Sequence, residues 1–179
     1  GGWRDSYADV MAAEGLTVLS IAVRGDDLSF LARVPDLRGL VLNAGEVRDL
    51  SAVQALARLE TLTLNTPAKP KLPLDFGAFE ALRVLRMYWN PGFESVFGRA
   101  SLESLFVFSP PDADLSRYGG LPALRRLELS QGRKLVSTQG VGPLDFLGLY
   151  QQGGLAELRD LPDLHVLSIE SAKQLEALD

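Results

Sequence analysis

The chain has 179 residues, 46% of them hydrophobic and 23% charged, with 17 Gly, 10 Pro and no Cys. That balance belongs to a folded chain and excludes intrinsic disorder and a collagen-like repeat, while the missing Cys removes disulfides, thiolate metal sites and cysteine nucleophiles. A formal net charge of -5 and a pI near 5.0 argue against a nucleic-acid partner, which asks for a basic stripe, and equally against an anionic membrane surface.

In chain order, the first predicted element is a short helix over Asp5 to Glu14. Asp5 or Ser6 is its candidate N-cap, Tyr7, Val10 and Met11 lie on one apolar face, and Gly15 is placed to end it. Such a helix is expected to cover the open edge of the strand that follows. Gly1-Gly2 ahead of it reads as a cloning remnant, and no basic segment with an apolar stretch marks a secretion signal. No apolar run approaches the roughly 18 residues of a membrane span.

From Leu16 onward the pattern apolar-x-x-apolar-x-apolar recurs eight times. The series opens with Leu16, Leu19, Ile21, restarts at Leu37, Leu59, Leu82, Leu102, Leu124 and Leu144, and closes with Leu164, Leu167, Ile169. Successive starts lie 20 to 23 residues apart, which accounts for the high leucine content, 34 residues. The last apolar residues of each block alternate with period 2 and predict a short strand. Turn residues follow, as in Asn43-Ala44-Gly45, Asn90-Pro91-Gly92, Pro110-Pro111-Asp112 and Gln131-Gly132-Arg133. A second apolar group then appears, Val47, Leu50, Val53, Leu56 in one coil and Leu155, Leu158, Leu161 in another; its spacing of three predicts a short helix or 3₁₀ segment. One coil cannot bury its apolar side alone, whereas stacked coils can.

The L-x-x-L-x-L motif at this period resembles the leucine-rich repeat family over roughly residues 16 to 179. Val47-Arg48-Asp49-Leu50-Ser51-Ala52-Val53 leading into Leu59 is most similar to the short repeats of bacterial internalin-type members. The resemblance implies an α/β solenoid: a right-handed superhelix of about eight coils, a parallel sheet on the concave face, and short helical or 3₁₀ segments on the convex face. With residues 1–15 as an N-terminal capping segment, residues 16–179 form the repeat domain, its last coil incomplete. It also implies protein binding through the concave face, and the lack of cysteine-rich caps favours an intracellular or bacterial origin. One departure stands out. The family's Asn three positions beyond the last strand Leu, which bonds the neighbouring coil's backbone, is matched only by Asn90; the other coils carry Arg24, Gly45, Pro67, Pro110, Gly132, Gln152 and Ala172.

The eighth coil stops at Leu175, Leu178 and Asp179 without a cap pattern, so either the natural chain is expected to continue or another molecule to cover this end, which also leaves assembly through that edge open beside a monomer. Catalytic constellations are missing. His165, the one histidine, sits at a strand position beside the core and reads as structural. Gly140-Val141-Gly142-Pro143 lacks the third Gly of a dinucleotide loop. Asp26-Asp27 and Asp112-Ala113-Asp114 lack the further oxygen ligands of a calcium loop, and Asp27 and Asp114 read better as turn carboxylates. The reading is therefore of a non-enzyme with no cofactor and no metal.

The strand face carries the stronger signal. Side chains between and just after the inward residues alternate outward. In the first three coils they are small or polar, while the fourth to seventh offer Arg86, Tyr88, Phe106, Phe108, Glu128 and Tyr150, with Arg126 and Phe146 one row over and Trp89 at a strand end. Tyr, Trp and Arg dominate interface hot spots, and exposed Phe asks for a covering surface. These nine residues are the expected contact for a protein partner. The alternative is that the chain is the recognition part of a larger enzyme or effector whose catalytic part lies elsewhere. The expected compartment, without signal or Cys, is the cytoplasm.

Overall fold

In a computed structural model, residues 3–67, 69–172 and 174–175 are described; Gly1, Gly2, Leu178 and Asp179, on which two expectations rest, lie outside them. The chain divides into two compact units, Gly1–Arg99 and Ala100–Asp179.

The first unit begins with helix α1 (Asp5–Ala13) and carries four strands, β1 (Val18–Ala22), β2 (Gly39–Asn43), β3 (Thr61–Asn65) and β4 (Val84–Tyr88), paired in parallel in chain order. The repeated leucines set the register, with Leu19, Leu40, Leu62 and Leu85 in one row and Ile21, Leu42, Leu64 and Met87 in the next. From β2 to β4 these inward side chains are at most 1% exposed. Each return to the next strand passes through a helical turn: 3₁₀ at Ser29–Arg33, helix α2 at Ser51–Gln54, and 3₁₀ at Phe76–Ala78 and Pro91–Gly98. Leu31, Val53, Phe76 and Phe93 from these turns are fully buried, with the Phe76 ring edge-on to Phe79 at 5.9 Å and to Phe93 at 5.7 Å. A carboxylate or amide starts each turn by accepting the backbone N–H two residues on: Asp27 from Ser29 (2.9 Å), Asp49 from Ser51 (3.0 Å), Asp75 from Gly77 (2.8 Å) and Asn90 from Gly92 (3.1 Å). Asp27 is thus the turn carboxylate the sequence suggested.

Helix α1 forms where expected, and Gly15 ends it in the left-handed conformation (φ +63°). Its cap and its buried face differ from expectation. Arg4 occupies the N-cap with no side-chain bond, and the helix buries Ala8 and Met11 while Tyr7 and Val10 stay 43% and 55% exposed. The helix is tied to the first 3₁₀ turn, through Trp3 stacked on Phe30 at 4.8 Å and Arg33 paired with Asp5 at 2.9 Å. The β1 edge consequently remains open, with Leu16 and Val18 exposed and Leu19 and Ile21 only half-buried.

The second unit carries β5 (Ser104–Phe108), β6 (Arg126–Ser130), β7 (Phe146–Tyr150) and β8 (Val166–Glu170), again parallel and in chain order. Leu105, Leu127 and Leu147 align in one inward row and Val107, Leu129 and Leu149 in the next, all fully buried. On β8 the inward rows open: Leu167 is 37% exposed and Ile169 half-buried.

Its return segments depart from the helical expectation. A 3₁₀ turn appears at Tyr118–Gly120, but Leu155, Leu158 and Leu161 lie on irregular backbone without a helical turn, where Ser137 bridges Glu157 in parallel and the N–H groups of Ala156 and Glu157 donate to the Val136 carbonyl at 3.0 and 3.1 Å. Each strand then turns through a non-glycine residue in the left-handed region: Ser109, Gln131, Gln151 and Ser171 have φ between 53° and 60°.

Gln152 occupies the position where only Asn90 had matched the family pattern. It is fully buried, and its amide nitrogen donates to the carbonyls of Leu129 in the neighbouring coil (2.7 Å) and of Tyr150 (3.0 Å). The family's asparagine job is done here by a side chain one methylene longer. Gly132 makes the room, since a Cβ there would overlap the Gln152 amide oxygen.

Candidate functional site

The outward side chains of β5–β8 form three rows, fixed by the parallel register: Ser104, Arg126, Phe146, Val166; Phe106, Glu128, Gly148, Ser168; and Phe108, Ser130, Tyr150, Glu170. Four of them make one connected arrangement. The Arg126 guanidinium lies over the Phe146 ring, its Cζ 3.7 Å from the ring centroid, and its Nε–H donates to Glu128 Oε1 at 2.9 Å. Glu128 Oε2 in turn accepts the Tyr150 hydroxyl at 3.1 Å. Gly148 permits this crossing, because a Cβ there would stand 2.7 Å from the Tyr150 hydroxyl. Arg126 is thereby clamped on two sides while its terminal nitrogens have no partner among the described residues and its side chain stays 45% exposed. A guanidinium held this way presents two parallel N–H donors, the geometry that pairs with a carboxylate.

Beside this cluster the rings of Phe106 and Phe108 lie 4.6 Å apart at 56°. Here the sequence expectation needs correction. Alternation put both side chains in the open, but Phe106 is only 8% exposed and Phe108 is half-buried, so Phe106 serves the packing and Phe108 is the more accessible ring.

On the first unit, β4 carries Arg86, exposed, and Tyr88, half-buried; Trp89 follows, half-buried, with its ring 5.8 Å from Phe97. The neighbouring strands are polar, and Asn65 donates its side-chain amide to the Asn43 side-chain oxygen at 2.6 Å.

The other residues singled out by type have structural work. His165 is exposed and lies 3.5 Å from Asp145, itself exposed. Gly140 and Gly142 have positive φ (82° and 74°), and a Cβ on Gly140 would meet Ser116 Cα at 2.9 Å, so these glycines serve close coil-to-coil packing. Asp112 accepts the hydroxyl of the fully buried Tyr118 at 2.9 Å and faces Arg117 at 3.4 Å, and Asp114 accepts the Ser116 hydroxyl (2.6 Å) and N–H (3.0 Å). Burial first, then the Asp112 charge, pushes the Tyr118 phenol upward, and the Ser116 hydroxyl holds the Asp114 carboxyl down. Asp26 accepts from Lys71 Nζ (2.7 Å) and from the N–H groups of Arg48 (2.6 Å) and Asp49 (3.0 Å), and these donors, Lys71 foremost, hold its carboxyl well below the usual range. Among the described residues no group of three or more His, Asp or Glu is arranged to hold a metal ion, and no helix is long and apolar enough to cross a membrane.

A feature that sequence reading passed over as a plain turn lies at the C-terminal ends of the second unit's strands. A groove of about 540 Å³ runs along the rim there, lined by Ser109, Gln131, Gln151, Arg133 and Lys134 among others. The signal was the adjacent pair Arg133-Lys134 in an acidic chain.

No family sequence model matches the chain, and no curated protein matches it in sequence. Among solved structures, an internalin (InlF) from Listeria monocytogenes superposes with a TM-score of 0.60 at 19% identity, over 98% of this chain and 63% of that one. The chain therefore spans less than two thirds of the length of that internalin. The fold is that of a leucine-rich repeat protein, as the L-x-x-L-x-L period implied.

Proposed function

We propose that the chain is a protein-recognition module that binds a protein partner through the outward side chains of its strands, with the face of β5–β7 at the centre of the contact. The observation that carries this reading is the Arg126 clamp. Ordinarily an arginine loses much rotamer freedom when it binds, but this one is already fixed by Phe146 and Glu128 with its terminal donors unpaired among the described residues. Phe108 and Tyr150 supply half-buried aromatic surface on the same face. Leucine-rich repeat folds serve in general as interaction modules, which supports the same reading. Arg86, Tyr88 and Trp89 on the first unit form a second contact patch.

The chain performs no chemistry of its own in this account. A second reading, the recognition segment of a larger enzyme or effector, is favoured by the open apolar row on β8, where Leu167 is 37% exposed while its counterparts Leu105, Leu127 and Leu147 are fully buried.

The test is capture from a lysate of the source organism, comparing the wild-type chain with Arg126→Ala and Phe108→Asp variants, each checked for an unchanged circular dichroism spectrum. A partner held by the wild type is expected to be lost or weakened by about 2 kcal/mol, on the order of 30-fold, in Arg126→Ala. Capture unchanged in both variants would remove the β5–β7 face from the contact.

A further inference from the structure

The rim groove of the second unit has the features of a second, separate binding site. Its lining includes Arg133 and Lys134 and not one acidic side chain. Both cations are exposed and have no hydrogen-bond or ion-pair partner among the described residues, unlike Arg117, Arg125, Arg126 and Arg159 of the same unit, each of which is bonded. Asp112, which follows the lining residues Pro110 and Pro111 in sequence, is occupied by Tyr118 and Arg117.

Neutral donors stand beside the charges. Ser109, Gln131 and Gln151 occupy equivalent turn positions in three successive coils, each with a left-handed backbone (φ 53°, 59° and 54°). Their backbone N–H groups are used between coils, donating to the carbonyls of Ser130 (2.7 Å), Tyr150 (2.9 Å) and Glu170 (2.7 Å). Their side chains are exposed and without partners among the described residues. A hydroxyl, two carboxamides, a guanidinium and an ammonium thus line one groove with donors and no competing carboxylate.

We propose that this groove takes a carboxylate-rich segment of the protein partner, an inference that rests on the reading above that the partner is a protein. Charge complementarity selects the ligand: in a chain of net charge -5, two adjacent unpaired cations in an acid-free groove favour Asp and Glu side chains, and the flanking amides and hydroxyl supply hydrogen bonds to the same oxygens. The groove lies at the C-terminal ends of the strands, and Arg126 sits at the N-terminal end of β6, so the two sites are separate and separately testable.

The experiment titrates a fluorescein-labelled hexaglutamate peptide with the whole chain at low salt and reads anisotropy. The wild type is compared with Arg133→Gln/Lys134→Gln and with Arg24→Gln/Arg48→Gln, which removes the same charge from exposed first-unit cations. The groove variant is expected to lose about tenfold in affinity and the control less than about twofold. Equal losses in both variants, or no binding by the wild type, would overturn the proposal. Displacement of the peptide by inorganic phosphate at matched charge would also overturn it, by showing a site for small oxyanions. Since the titration needs no natural partner, failure of the strand-face reading would appear only in the capture experiment and leave this readout standing.

Discussion

Replacing Gln152 by Ala is the sharpest perturbation of the coil-to-coil bonding. The wild-type side chain is fully buried, and two carbonyls, Leu129 at 2.7 Å and Tyr150 at 3.0 Å, fix which end of the amide is the donor. Removing it deletes two hydrogen bonds at about 1 kcal/mol each and leaves part of the side-chain volume empty, for a total loss of about 2–3 kcal/mol. For a chain of this size that is a fall in Tm of roughly 5–10 °C. Gly132→Ala attacks the same bond from the other side, by placing a Cβ where the Gln152 amide oxygen lies, and is expected to cost about 1–3 kcal/mol. The two effects are coupled: in the double variant the Gly132 penalty falls, because the oxygen it collides with is gone, by about 1 kcal/mol or more. Urea unfolding followed by circular dichroism on all four proteins measures this. Additive losses, or a Gln152→Ala loss under about 0.5 kcal/mol, would refute the assignment of Gln152 as the inter-coil clamp.

Further expectations follow from other parts of the chain. Gln131→Gly and Gln151→Gly are each expected to stabilise the chain by up to about 1 kcal/mol, the relief of roughly 1–2 kcal/mol of left-handed strain less the entropy of glycine; a loss of stability in urea would contradict the strain reading. Tyr118→Phe removes a buried hydroxyl bonded to Asp112 and is expected to destabilise by about 1–3 kcal/mol, while in the wild type one phenol is expected to resist alkaline titration in ultraviolet absorbance until the chain unfolds. Asp26, with its carboxyl held below the ordinary 3.8, contributes stability that is fully present at neutral pH and is lost as pH falls below that value; urea midpoints between pH 2 and 6 are expected to drop less steeply for Asp26→Asn than for the wild type.

The repeat period made most of this architecture legible. Every apolar triplet from Leu16 to Ile169 falls on or just before an observed strand, and the alternation that placed Leu127 and Leu129 inward placed Arg126, Glu128 and Tyr150 on the other face, because strand geometry and sequence share the period of two. What remained hidden depends on side-chain reach and on pairing between coils. Phe106 alternates outward yet is covered, a matter of how neighbouring rings pack, which periodicity does not encode. The leucines at 155, 158 and 161 have helical spacing, yet that segment takes no helical turn and instead bridges the neighbouring coil at Ser137 and Glu157. Gln152 looked like a broken pattern because its role depends on a glycine twenty residues earlier, at 132. For α1, the sequence put Tyr7, Val10 and Met11 on the apolar face, and contacts through Trp3 and Arg33 turn Ala8 and Met11 inward instead.

The central claim is that a protein partner sits on the outward face of β5–β7. Amide and side-chain footprinting of the complex with the captured partner tests it most directly, with hydrogen exchange and carbodiimide or aromatic-selective labelling read by mass spectrometry. The account predicts protection concentrated at Phe108, Arg126, Glu128, Phe146 and Tyr150, with the return segments around Ser116 and Ala156 unchanged. Protection confined to those return segments, with Phe108 and Tyr150 labelled as in the free chain, would contradict it.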